Sequence, residues 1–174
     1  YYPFFEISYC PELLSPEKKS FLYYECYNNK PVDYGKWDDL IEAIARHTIE
    51  RYGLECVRKW YFEVWNEPDI AFESGQKEAY FELYDHTVLA VRRADNSLRV
   101  GGPATSKCLW IPEFIEHIVS GSEVSGGKPV PCDFISTHCY PSDLAFLPSD
   151  VGDVKLQNSN IMRQMFSSAR ACMD

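Results

Sequence analysis

The sequence predicts an α/β fold of parallel strands joined by crossover helices, and three observations carry that expectation. Four short apolar runs of strand length open at Phe4, Trp60, Leu98 and Asp133. Between them lie longer stretches whose apolar residues recur every three or four positions, the period of a helix with one buried face. Polar residues crowd the C-terminal ends of three runs: Asn66 and Glu67, then Thr105 and Ser106, then His138 and Tyr140. The alternation implies a parallel sheet but leaves an open doubly wound sheet and a closed barrel equally available. No phosphate-binding GxGxxG or GxxxxGK[ST] follows a strand; Gly101-Gly102-Pro103 does not match either pattern. Polar groups gathered at strand C-terminal ends favour the barrel, whose enzymes build their sites on that face.

Each element can be justified in order. Phe4-Phe5-Glu6-Ile7-Ser8-Tyr9 is the first strand, ended by Cys10-Pro11. Trp37, Leu40, Ile41, Ile44, Ala45, Thr48 and Ile49 form one helical face, closed by Gly53 as a C-terminal cap. Trp60 to Trp65 is the second strand, breaking at Asn66-Glu67-Pro68, and a helix over Lys77 to Ala94 follows with Tyr80, Leu83, Tyr84, Thr87, Val88 and Val91 inward. Leu98 to Gly102 is the third strand. Ile111, Phe114, Ile115, Ile118 and Val119 make the next helix, stopped by Gly121, before a Gly/Ser/Pro-rich loop leads to the fourth strand at Asp133 to His138. A weaker helical pattern runs from Ser159 to Cys172.

Composition excludes several classes. With 26 Asp plus Glu against 17 Lys plus Arg, the net charge of −9 makes nucleic acid an unsuitable partner. No apolar run reaches the roughly 18–20 residues a membrane span needs. The seven cysteines show no CxxC pairing, which argues against a structural zinc site, and their odd number fits poorly with a complete disulfide framework. Unpaired thiols and the lack of any Asn-x-Ser/Thr acceptor favour a reducing, cytoplasmic setting over a secreted one. Neither a metal nor an organic cofactor is implied. The 15% aromatic content reads as core packing or as stacking platforms for sugar rings.

The residues with chemistry to offer sit at strand ends. Pro68 biases Glu67 toward extended backbone, so the strand is expected to persist up to the carboxylate and aim it at the strand's end. Trp65 and Phe62 offer an apolar wall that can raise a carboxylic acid's pKa toward neutrality, as a general acid requires. Asn66 offers an amide able to grip a sugar hydroxyl. Taken alone, Asn-Glu-Pro reads first as a solvated turn, and a lone strand histidine such as His138 as a structural one. Glu6 and Glu63 point either into or out of a barrel and receive no role; His47, His86 and His117 fall in helical segments and read as surface or helix residues.

Tyr61-Phe62-Glu63-Val64-Trp65-Asn66-Glu67-Pro68-Asp69 resembles the acid/base strand of the family 39 glycoside hydrolases, a family that includes β-xylosidases and α-L-iduronidases. Pro3 to Ile7 resembles that family's third barrel strand. Tyr34 to Ile41 and Glu50 to Gly53 resemble the helix that follows it. Val100 to Ala104 is similar to the fifth strand and Phe134 to Tyr140 to the sixth. The resemblance implies a partial TIM (β/α)8 barrel of about four βα units. Residues 1–174 would then be part of a single catalytic domain, cut at both ends. It further implies that Glu67 is the general acid/base, that Asn66 binds the sugar 2-hydroxyl, and that His138 and Tyr140 line the same subsite. His138-Cys139-Tyr140 is closer to the xylosidase branch, so the implied substrate is a small xyloside or xylo-oligosaccharide.

A retaining glycosidase needs a second carboxylate about 5–5.5 Å from the first. In this family it follows the seventh strand in a Thr/Ser-Glu-Trp-like context, and no such motif follows Tyr140. The expectation is therefore a glycosidase piece that lacks its nucleophile and is inactive alone. The alternatives are an iduronidase-like or other retaining specificity, and a carbohydrate-binding remnant without chemistry. Oligomeric state is not legible.

Overall fold

The computed structural model describes residues 1–17, 27–70, 72–140, 167, 170 and 171. Four strands, β1 (Phe4–Ile7), β2 (Tyr61–Val64), β3 (Arg99–Ser106) and β4 (Phe134–His138), pair in parallel in the order β1-β2-β3-β4. Sequential order without a reversal is the winding of a barrel; a doubly wound sheet would show a switch point. The structure thus resolves the choice that periodicity left open, giving four neighbouring strands of a parallel (β/α)8 barrel.

The helices are α1 (Tyr34–Tyr52), the short α2 (Leu54–Val57), α3 (Lys77–Ala94) and α4 (Ile111–Ser120). The Asp33 side chain caps α1 by accepting the Lys36 amide at 3.1 Å, and the helix ends at Gly53. Its buried residues, Trp37, Ile41, Ala45 and Thr48, face α3, where the Trp37 indole N–H donates to Thr87 Oγ1 at 2.9 Å. All six residues expected to face inward on α3 are buried, and Phe81, Asp85 and Ala90 join them. Tyr80 and Tyr84 anchor α3 to the sheet side through their hydroxyls, donating to the carbonyls of Val64 (2.9 Å) and Pro131 (3.0 Å).

Strand residues alternate between two faces. Phe62 and Val64 lie under the helices and are fully buried. Phe4, Tyr61 and Phe134 form a ring cluster on the opposite face, with centroids 5.2–5.7 Å apart. Gly101 has a steric reason to be glycine: a Cβ there would stand 2.2 Å from the Phe134 carbonyl oxygen. At Ala104 (φ 54°) the β3–β4 register slips, since Pro103 pairs with Ser136 but Thr105 with Thr137. Ala104 is the extra residue of a bulge.

One expectation changes. On α4, Ile111 and Phe114 are buried but Val119 is 65% exposed, because among the described residues no element packs on that side of the helix. His86 and His117 lie in helices, as expected, and each meets a carboxylate. His86 stacks on Tyr34 at 4.1 Å and meets Asp38 at 3.0 Å, while His117 Nε2 lies 2.9 Å from the fully buried Asp85 carboxylate and stacks on Phe81. A buried carboxylate requires partners, and His117 supplies one to Asp85. The Ser159–Cys172 pattern lies outside the described residues except for the helical positions 167, 170 and 171. No described helix is long and apolar enough to cross a membrane.

Candidate active site

β2 delivers Asn66 and Glu67 to its C-terminal end, though not by the expected route. The strand stops at Val64, and Trp65 and Glu67 take positive φ values of 70° and 46°. The extended bias from Pro68 is overridden by hydrogen bonds from neighbouring strands: Trp65 N–H donates to Ile7 O at 3.0 Å and Glu67 N–H to Ala104 O at 2.9 Å. Ala104 is the bulge residue, so the irregularity in β3 presents the carbonyl that fixes Glu67. Two left-handed residues cost about 1–3 kcal/mol each and persist only where the surroundings enforce them, and such strain gathers at functional sites.

The far side of the turn is held as firmly. Ile70 N–H donates to Glu67 O at 3.0 Å. The Asp69 carboxylate accepts the Ser106 amide at 2.8 Å and the Ser106 hydroxyl at 2.5 Å. Asp69 and Ser106 were given no role from sequence. The available signal was an acidic residue two places after Glu67 and hydroxyls closing β3; joining them required the register of two strands.

Glu67 Oε1 lies 3.0 Å from His138 Nδ1, with both side chains about one quarter exposed. The contact joins the ends of β2 and β4 across β3. His138 is itself fixed through its backbone, whose carbonyl accepts Lys107 N–H at 2.7 Å. Beside it, Thr137 Oγ1 donates to Thr105 O at 2.8 Å and accepts the Cys108 amide at 3.0 Å. Asn66 is half-buried next to Glu67, and Tyr140 is 55% exposed two residues beyond His138. The structure therefore brings Glu67 and His138 into contact, with Asn66 and Tyr140 adjacent to them along the chain.

Phe62 and Trp65, expected as a wall for the carboxylate, are fully buried in the helix-side core. Trp65 packs edge-on against Tyr9 and Phe72, and Phe62 against Phe5 and Trp60. The group that meets the carboxylate is His138. Deeper along the strands, Glu6 and Glu63 are register partners, and Glu63 is only 5% exposed. Burial pushes the Glu63 carboxyl up, the Ser136 hydroxyl and the nearby His138 draw it back, and repulsion from Glu6 adds a smaller upward push. Among the described residues no group of three or more His, Cys, Asp or Glu is placed to hold a metal ion.

A strand-end carboxylate touching an imidazole can hold and pass a proton, and an adjacent amide can orient a hydroxylated ligand. The family description "Glycosyl hydrolases family 39" matches residues 1–172. A β-xylosidase from Caldicellulosiruptor saccharolyticus is 46% identical over 149 residues, covering 84% of this chain and 29% of that protein. An α-L-iduronidase from Canis lupus familiaris is 36% identical over 111 residues, covering 59% of this chain and 17% of that protein. The crystal structure of a monomeric β-xylosidase from Caulobacter crescentus superposes with a TM-score of 0.82 at 39% identity, over 98% of this chain and 34% of that one. The chain thus spans about a third or less of the length of these relatives. With the family match running along nearly all of it, the chain belongs to glycoside hydrolase family 39.

Proposed function

We propose that these residues carry the acid/base half of a β-xylosidase site that works with retention of configuration. The observation that carries this reading is the 3.0 Å contact between Glu67 and His138, which joins the ends of β2 and β4 across β3. In a double displacement Glu67 first protonates the leaving glycosidic oxygen, then takes a proton from the water that opens the glycosyl-enzyme. A group that must give a proton and then recover one needs a neighbour suited to both forms. Imidazole is such a neighbour: its N–H donates to the carboxylate, and its lone pair accepts from the carboxylic acid. Asn66 would hold the sugar 2-hydroxyl, and Tyr140 would flank the same subsite. The nucleophilic carboxylate would come from protein outside these 174 residues, within a single catalytic domain. The xyloside preference is supported by the higher identity and wider coverage of the xylosidase relative than of the iduronidase.

The test uses the full-length protein that carries this chain, assayed on aryl β-xylosides of graded leaving-group ability. Glu67→Gln should lower turnover of the poorest leaving group by about 10²–10⁴-fold and that of the best much less, since only the former needs the proton. An equal loss on all of them would remove Glu67 from the acid role. Faster turnover of an α-L-iduronide than of any β-xyloside would overturn the substrate class. The isolated 174 residues should show no turnover; activity there that Glu67→Gln abolishes would overturn the missing nucleophile.

A further inference from the structure

We propose that Cys108 and Cys139 form a thiol pair that a small disulfide oxidises to a cross-link, clamping the end of β4 to the turn after β3. Their sulfurs lie 3.2 Å apart, although the residues are 31 positions apart in sequence. A disulfide needs about 2.03–2.05 Å, so the sulfurs must close by only about 1 Å, within reach of side-chain rotation. Both residues are half-exposed, which admits a small oxidant. The two backbones are already aligned beside each other. Lys107 N–H donates to His138 O, Cys108 N–H to Thr137 Oγ1, and Thr137 Oγ1 to Thr105 O. These bonds keep one thiol next to the other without any rearrangement of the strands.

Other described thiols lack that arrangement. Cys10 is buried and directs its thiol to Pro11 O at 3.7 Å; burial pushes it up to about 12, which leaves little thiolate to attack anything. Cys132 points at Phe134 O at 3.2 Å, and burial raises it as well.

The oxidant is a low-molecular-weight disulfide, RSSR, and the step balances. One protein thiol loses its proton to solvent and attacks RSSR, forming a mixed disulfide and releasing RS⁻. The second thiol loses its proton and attacks the protein sulfur of that mixed disulfide, releasing the second RS⁻. The protein is oxidised by two electrons and two hydrogens, and RSSR is reduced to two RSH.

Cys139 stands between His138 and Tyr140, so the cross-link fixes a segment that carries both. Its effect on turnover rests on the glycosidase reading above; formation of the bond does not. The full-length protein is incubated with glutathione disulfide, remaining thiols are alkylated, and the digest is mapped by mass spectrometry. The expected result is a peptide joining Cys108 to Cys139, lighter by two hydrogens and released by reductant. Cys108→Ser should instead leave glutathione on Cys139. Separate glutathione adducts on the two wild-type cysteines, continued alkylation of both, or pairing of either with another cysteine would overturn the site. In parallel, oxidation should lower turnover of an aryl β-xyloside several-fold in the wild type and leave the Cys108→Ser/Cys139→Ser double variant, which takes neither cross-link nor adduct, unaffected. A mapped cross-link with unchanged turnover would overturn the clamp, whereas a reduced protein without turnover would overturn the glycosidase reading and leave the bond standing.

Discussion

The β2 side and the β4 side of this sheet are built to different standards. β2 has three buried residues of four and is backed by α3, which has nine buried residues and is itself covered by the Trp37 face of α1. β4 is half-buried at all five positions, and α4 offers only Ile111 and Phe114 as buried residues. Glu67 comes from the packed side and His138 from the sparse one. Their contact crosses the seam, so the two halves of the candidate site owe their positions to different forces. Glu67 inherits its place from a dense core plus two main-chain bonds. His138 is held by the β3 ladder and a handful of polar atoms.

If packing governs one side and the ladder the other, damage to each should read differently. Trp37→Ala removes a fully buried ring and the hydrogen bond its indole N–H gives to Thr87 Oγ1, and should cost about 3–5 kcal/mol in urea denaturation. Loss below 1 kcal/mol would show that the α1–α3 contact does not anchor β2. Gly101→Ala drives a methyl group into the Phe134 carbonyl and should cost about 1–3 kcal/mol. Its more telling signature is local: amide exchange should quicken along β4 while α1 and α3 keep their protection. Uniform acceleration throughout would mean the two sides fold as one cooperative unit.

Smallest, and confined to pH, is the effect of Glu63. Its folded-state carboxyl is raised above the ordinary 4.5, so the folded form binds the proton more tightly than the unfolded chain does. The associated stability is fully present below the unfolded value and is lost as pH rises through the folded one. Glu63→Gln, a fixed mimic of the protonated acid, should match the wild type at acidic pH and exceed it in stability at neutral pH. A variant less stable at neutral pH would show that the carboxylate form is held by partners, and burial would not be its dominant influence.

Much of the fold was legible because its helices carry long, regular signals. The Lys77–Ala94 helix has the bounds its periodicity indicates. β3 was read short, ending at Gly102 where the strand continues to Ser106. Two glycines and a proline carry almost no strand propensity, and only tertiary crowding explains the glycines: Gly101 lies against Phe134 of β4, and Gly102 against the Tyr80 hydroxyl of α3. Within the site, Glu67 and His138 were legible through the family resemblance, but the backbone at Glu67 was not. Local sterics at Pro68 pointed to extended chain, and a carbonyl from a strand 37 residues away in sequence decided otherwise (Glu67 to Ala104). The Asp69–Ser106 pair was hidden for the same reason, since its |i−j| of 37 leaves no local trace.

The Ala104 bulge has a consequence for how this protein tolerates genetic change. The atom that holds the Glu67 amide is a main-chain oxygen, so every amino acid supplies it and side-chain truncation scanning is blind to it. What maintains the tie is the number of residues between Pro103 and Thr105. A single-codon deletion there would strip the anchor from Glu67 and carry Ser106, with its hold on Asp69, out of step with His138. Conservation of length, more than of letters, is the mark that such an anchor leaves on a lineage.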